Sequence, residues 1–136
     1  MENIVIVGAS GTGREVYQWL CDLGEKKKIK GFLDPNKSVL SNSKIDLPIL
    51  GVEETYNPES NDVFVIALTD SHLKQKTISV LKNKNASFRS VIHPTALISE
   101  YSDVGTGVII FPSALISCDA TVGNFTITFS VPLNMG

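Results

Sequence analysis

The 136 residues include only two cysteines and two histidines. Cys21 and Cys118 stand far apart with no ligand spacing, so they read as reduced thiols of a reducing compartment. His72 and His93 cannot furnish the roughly three nitrogen ligands of a zinc site, so no metal is expected. Basic clusters are equally scarce: Lys26, Lys27, Lys28 and Lys30 form the only tight one, in a chain of formal net charge −2. That argues against the basic footprint of a nucleic-acid binder. No apolar run approaches the roughly 20 residues that span a bilayer, and Met1 to Val7 start as a strand without the flanks of a signal peptide. These absences predict a cytoplasmic protein with neither nucleic-acid nor membrane partners. What is present, 43% hydrophobic against 19% charged residues, is the balance of a chain that folds.

The first half reads as alternating strands and helices. Asn3-Ile-Val-Ile-Val7 is a short β-branched run ending at Gly8, the pattern of a buried parallel strand. Ala9, Ser10, Gly11, Thr12 and Gly13 follow, and Val16, Trp19, Leu20 and Leu23 then recur at helical spacing until Gly24. A second strand is predicted over Ile29 to Leu33, ending at Asp34-Pro35. A third is predicted over Val63 to Leu68, with a cap at Thr69, Asp70 or Ser71 and a helix to about Lys82. Such alternation implies a parallel sheet with right-handed crossovers. The Ser-, Asn-, Pro- and Glu-rich stretch from Asn36 to Ser60 is expected to be a loop-dominated excursion across the surface.

From residue 91 the period changes. Ile92, Ile98, Val104, Ile110, Ile116 and Val122 recur every six residues. Four places after each stands a small or β-branched residue: Ala96, Ser102, Val108, Ala114, Ala120 and Thr126. A longer repeat overlies the hexads, since Ile92-His-Pro-Thr-Ala-Leu-Ile-Ser99 is echoed eighteen residues later by Ile110-Phe-Pro-Ser-Ala-Leu-Ile-Ser117. Three hexads per coil suit a triangular solenoid with the large apolar residue inside and the small one at the corner. The expected fold class is therefore α/β plus β: a small Rossmann-like βαβ domain over residues 1–90, then a partial left-handed parallel β-helix over residues 91–136.

Taken in order, the glycines of the turn at Gly8, Gly11 and Gly13, the Gly31-Phe-Leu-Asp34 strand end, Ile92-His93-Pro94 and the hexads resemble a known family. The chain is similar to the bacterial sugar acyltransferases that include sialic acid O-acetyltransferases and the N-acetyltransferases of UDP-linked 4-amino sugars. The resemblance covers the whole chain. It implies an N-terminal domain that holds the nucleotide sugar, a β-helix that assembles as a homotrimer, acetyl-CoA between neighbouring β-helices, and a histidine as general base. In that family the base belongs to a His-Asp pair about half a coil further along, and Thr128 to Gly136 look like the approach to it. Neither His72 nor His93 stands at the base position, so no catalytic residue is assigned and the chain is expected to stop short of its base. The implied activity is acetyl transfer from acetyl-CoA to an amino or hydroxyl group of a nucleotide-linked or free sugar, the partner being a UDP-linked amino sugar or a sialic acid-type sugar. A nucleotide-sugar binding module without turnover, or an inactive shortened copy, is the alternative.

The candidate substrate-binding residues lie at the predicted strand ends. Gly8, Ala9, Ser10, Gly11, Thr12 and Gly13 open the first helix, whose free N–H groups and positive dipole end suit a phosphate. Gly8 would allow the tight turn and Gly11 the close approach of backbone to ligand. Thr12 stands where the family often carries a histidine. Asp34 follows Gly13 by about the twenty residues at which an acidic group reaches a ribose hydroxyl. It would hold the ribose or base of a uridine nucleotide, or merely start a turn. Thr69 and Asp70 border the same crevice, as ligands or as a helix cap. His72 is expected beside the crevice, His93 at a stacking or hydrogen-bonding position of the β-helix, and Trp19 in the core.

Overall fold

The computed structural model describes residues 1–131. Strand β1 (Asn3–Val7) leads through the glycine turn into helix α1 (Gly11–Asp22), and β2 (Ile29–Leu33), β3 (Ile49–Gly51), β4 (Asp62–Ile66), α2 (Ser71–Asn83) and β5 (Ser87–Phe88) follow. The five strands form one parallel sheet in the order β3-β2-β1-β4-β5. β1 lies at its centre because both of its faces are apolar, as parallel strands between two layers must be. Ile4 and Ile6 pack with Val16, Trp19 and Leu20 of α1, while Val5 and Val7 pack with Leu81 of α2. Alternate side chains of one strand thus serve two separate cores.

The excursion from Asn36 to Ser60 is dominated by loop and carries one short element, since Ile49–Gly51 adds an edge strand beside β2. Three residues are too few to show a period, and the preceding Pro48 reads as a turn residue. The strand exists because β2 supplies partners: Phe32 N–H donates to Pro48 O at 3.0 Å and Asp34 N–H to Gly51 O at 2.9 Å. The two-residue β5 escaped prediction for the same reason.

Beyond residue 90 come β6 (Val91–Ile92), β7 (Leu97–Ile98), β8 (Asp103–Val104), β9 (Ile109–Ile116), β10 (Thr121–Val122) and β11 (Ile127–Val131). Every rung from Val91↔Ile109 to Thr128↔Ile110 joins residues eighteen apart, as three hexads per coil require. Ile110, Ile116 and Val122 are buried together with Val108, Ala114 and Ala120. The small hexad residues therefore line the interior alongside the large ones. Past Thr128 the register shortens: Ser130 faces Leu115 and Val131 faces Ile116. Val131 is thereby brought against the inner cluster. Of the stretch expected to approach a His-Asp pair, residues 132–136 lie outside the described residues.

Apolar packing runs through the junction. Val91 and Ile109 belong to the same buried cluster as α1, and the Phe111 ring lies 4.7 Å from that of Trp19. His93, only 8% exposed, bridges α1 to the first coil. Thr95 N–H donates to its Nδ1 at 3.2 Å, which leaves the ring proton on Nε2 to donate to Asp22 Oδ2 at 2.8 Å. Thr95 Oγ1 in turn accepts from Ser113 N–H at 2.9 Å, carrying the link to the second coil.

Candidate functional site

The glycine turn takes its shape from steric exclusion. Gly8 has φ +98°, and a Cβ there would stand 2.9 Å from Ala67 O. Gly13 is tighter, since a Cβ would fall 1.8 Å from Gly8 O. The first turn of α1 therefore rests directly on the end of β1. At Gly11 a Cβ would meet nothing within 4 Å, so this position faces open space. The turn is pulled inward by Asp34, whose Oδ2 accepts from Ala9 N–H and whose Oδ1 accepts from Asn36 N–H, both at 2.9 Å.

The N-terminus of α1 is open. Its N-cap Ser10 makes no side-chain cap, and the first return hydrogen bond runs from Arg14 N–H to Ser10 O. Among the described residues no protein acceptor meets the N–H groups of Gly11, Thr12 and Gly13. Ser10 and Gly11 are exposed. Free N–H donors at the positive end of a helix dipole have the chemistry that suits an anion.

Beside the turn lies a cavity of about 190 Å³, lined by Gly8, Leu33 and Asp34 from the ends of β1 and β2, Val52 to Glu54 after β3, Leu68 after β4, and Leu73, Lys76 and Thr77 of α2. It opens at the carboxyl ends of the strands, where open α/β sheets bind their ligands. A larger hollow of about 790 Å³ separates α2 from the corner at residues 124–127, but it contains none of the glycine turn. The smaller cavity is the better candidate because it lies at the strand ends and has Gly8 of the turn in its wall.

Of the candidate residues, Gly8 and Asp34 line the cavity and Ala9 to Gly13 form the adjoining helix start. Thr69 and Asp70 do not line it. Asp70 caps α2, its Oδ1 accepting from Leu73 N–H at 2.8 Å, and Thr69 and His72 are exposed.

Sequence reasoning missed the wall formed by Val52, Glu53 and Glu54. Lys84 fixes it from beneath, donating to the carbonyls of Glu53 and Glu54 at 2.7 Å and of Tyr56 at 2.9 Å. The buried Thr77 hydroxyl donates to Glu53 Oε1 at 3.1 Å. Only the Ile49-Leu50-Gly51 run, apolar and closed by glycine, hinted that a strand would deliver these residues to the crevice.

A parallel sheet with a glycine turn and an open helix start at the strand ends, continuing into eighteen-residue coils, makes an α/β unit joined to a hexapeptide β-helix. The chain belongs to the PglD N-terminal domain family, whose model matches residues 3–81. No curated protein sequence matches the chain. Among solved structures, it is similar to perosamine N-acetyltransferase from Caulobacter crescentus, determined with CoA and GDP-perosamine, at 24% identity and TM-score 0.78, covering 93% of this chain and 60% of that one. It is also similar to the acetyltransferase domain of PglB from Neisseria gonorrhoeae, determined with acetyl coenzyme A, at 19% identity and TM-score 0.81 over 96% of this chain and 64% of that one. WeeI from Acinetobacter baumannii AYE follows at 21% identity and TM-score 0.78, with 96% and 62% covered. At these identities the likeness is one of fold. The chain spans about three fifths of the length of these relatives.

Proposed function

We propose that this chain is the acceptor-binding part of an acetyltransferase that moves acetyl from acetyl-CoA to an amino sugar carried on a nucleoside diphosphate. The observation that carries the reading is the open α1 N-terminus beside the strand-end cavity, a phosphate site next to a pocket for the rest of a nucleotide. Gly8 and Gly13 shape the turn, Gly11, Thr12 and Gly13 offer N–H donors, and Asp34 holds the turn through Ala9. Asp34 acts here by positioning, and Ala9 and Ser10 complete the turn. Thr69 and Asp70 lie outside the cavity lining, Asp70 as the cap that starts α2. The relatives determined with CoA, acetyl coenzyme A and GDP-perosamine support acetyl-CoA as co-substrate and a nucleotide amino sugar as acceptor.

In the transfer step, the acceptor amine attacks the thioester carbonyl, a base takes its proton, backbone N–H groups steady the oxyanion, and CoA leaves as the thiol. His93 is held by Asp22 and Thr95, and His72 is exposed in the first turn of α2. We therefore assign the base to the part of the relatives' length that this chain does not span. Residues 1–90 form the nucleotide unit and the remainder the start of the β-helix, which would assemble as a trimer. The outward-stacked Leu97 and Leu115, 69% and 51% exposed, supply apolar surface for such contacts. Cys21 and Cys118 are free thiols, in keeping with the reducing cytoplasm.

The test is an NMR titration of the 15N-labelled chain with a nucleoside diphosphate. Shifts concentrated at Gly11, Thr12 and Gly13 are expected, and their absence sinks the reading. Acetyl transfer by the 136 residues alone would return the base to His72 or His93 and overturn the assignment.

A further inference from the structure

We propose that the strand-end cavity selects guanine as the base of its nucleotide, with Glu53 as the residue that reads it. This rests on the nucleotide reading above and replaces the uridine expected from sequence. A cavity of about 190 Å³ has room for about six water molecules. It suits one flat heterocycle, while the diphosphate lies outside it on the α1 N-terminus. Val52, Leu33, Leu68 and Leu73 offer apolar faces against which a ring can lie, and Glu53, Glu54 and Lys76 contribute charged groups at the wall.

Glu53 differs from an ordinary surface carboxylate in being held in place. Its backbone carbonyl is gripped by Lys84, and Oε1 accepts from the fully buried Thr77 hydroxyl. Among the described residues it makes no salt bridge. Asp34, the other carboxylate near the turn, already accepts from Ala9 and Asn36. Glu53 therefore presents a fixed, acceptor-only group to whatever enters.

Of the common bases, guanine alone offers two adjacent donors on one edge, its ring N1–H and exocyclic N2–H₂, which match the two oxygens of one carboxylate. Uracil offers one N–H between two carbonyl oxygens, so a carboxylate meets one donor and two like partial charges. Adenine and cytosine each place a donor beside a ring acceptor. A site built around such a hydrogen bond rejects the analogue that cannot make it. One charge-assisted pairing corresponds to roughly a 10- to 100-fold preference.

The experiment is calorimetric titration of GDP and of UDP into the full chain, the shared diphosphate cancelling the anion-site contribution. GDP is expected to bind at least about tenfold more tightly. Glu53→Gln keeps the size and a Thr77 partner but replaces one acceptor by a donor, so it should weaken GDP by about tenfold and leave UDP equal or tighter. Glu100→Gln, an exposed charge on the first coil, serves as the control for net charge and should leave the ratio unchanged. UDP binding as tightly as GDP overturns the guanine assignment while the nucleotide reading stands. A GDP preference that survives Glu53→Gln in a folded variant, checked by its melting curve, overturns the role of Glu53. Binding of neither nucleotide brings down the proposed function itself.

Discussion

Gly13 and Gly11 sit two residues apart in one turn and differ in what they exclude. A methyl at Gly13 would collide with the Gly8 carbonyl, a backbone atom that cannot swing aside. Gly13→Ala is expected to destabilise the fold by about 3 kcal/mol, read from urea denaturation. Gly11→Ala meets open space in a helical position, so stability should hold or rise by about 0.5 kcal/mol. Its methyl would nonetheless stand where a phosphate must approach, and nucleotide affinity should fall. A loss of affinity without loss of stability would separate the proposed ligand role of Gly11 from the packing role of Gly13. Lys84 makes a third case, since one ammonium satisfies three carbonyls of the cavity wall. Lys84→Met is expected to cost about 2 kcal/mol and to loosen nucleotide binding, measured by denaturation and calorimetry on the same variant.

At the scale of elements, α1 joins the two halves. One stripe of this helix meets the sheet through Val16 and Leu20, and its Trp19 meets Phe111 of the second coil. Asp22 at its last turn holds His93 of the first coil. Phe111→Ala removes the ring packed against Trp19 and should destabilise by about 2 kcal/mol, with a red shift of Trp19 emission as water reaches the indole. If emission were unchanged, the Trp19 environment would have to be provided by α1 and the sheet alone. The eighteen-residue repeat was legible because β-helix rungs join residues at fixed sequence separation, so the pairing partner is written into the period. β3 was not legible, because a three-residue edge strand is stabilised by its neighbour and leaves no periodic trace.

For the whole molecule, acid is the informative variable. Hydrogen bonds from His93 and then Gln18 hold Asp22 below the ordinary carboxylate range, and Arg89 does the same for Glu25. Burial pushes Asp62 upward, but the hydrogen bonds from Tyr56, Glu59 N–H and Lys30 prevail and lower it. A carboxylate whose folded pKa is depressed contributes stability that is complete above its unfolded pKa of about 4 and is lost as pH falls through the folded value. Stability should thus be level from pH 7 to about 5 and decline in stronger acid, followed by urea denaturation across that range. Asp62→Ala, which leaves Lys30 facing only the exposed Glu59 and the Tyr56 ring, should cost about 3 kcal/mol at neutral pH. It should also make the acid limb shallower. A limb as steep as that of the parent chain would assign acid sensitivity to the other carboxylates.

The amino-acid sequence by itself determined the strand and helix of the glycine turn, the change of period near residue 90 and the eighteen-residue coil, because each depends on local sterics or on a repeat. It also located Asp34 at the end of β2, though not its partner, since only folding brings its carboxylate to the Ala9 N–H twenty-five positions away. Tertiary structure alone decided the cavity wall. Glu53 becomes a fixed acceptor only when Thr77 and Lys84, 24 and 31 residues distant, hold it from α2 and the turn that ends it. Such contacts depend on the path of the chain between elements, and no residue in that path records where its far end will rest.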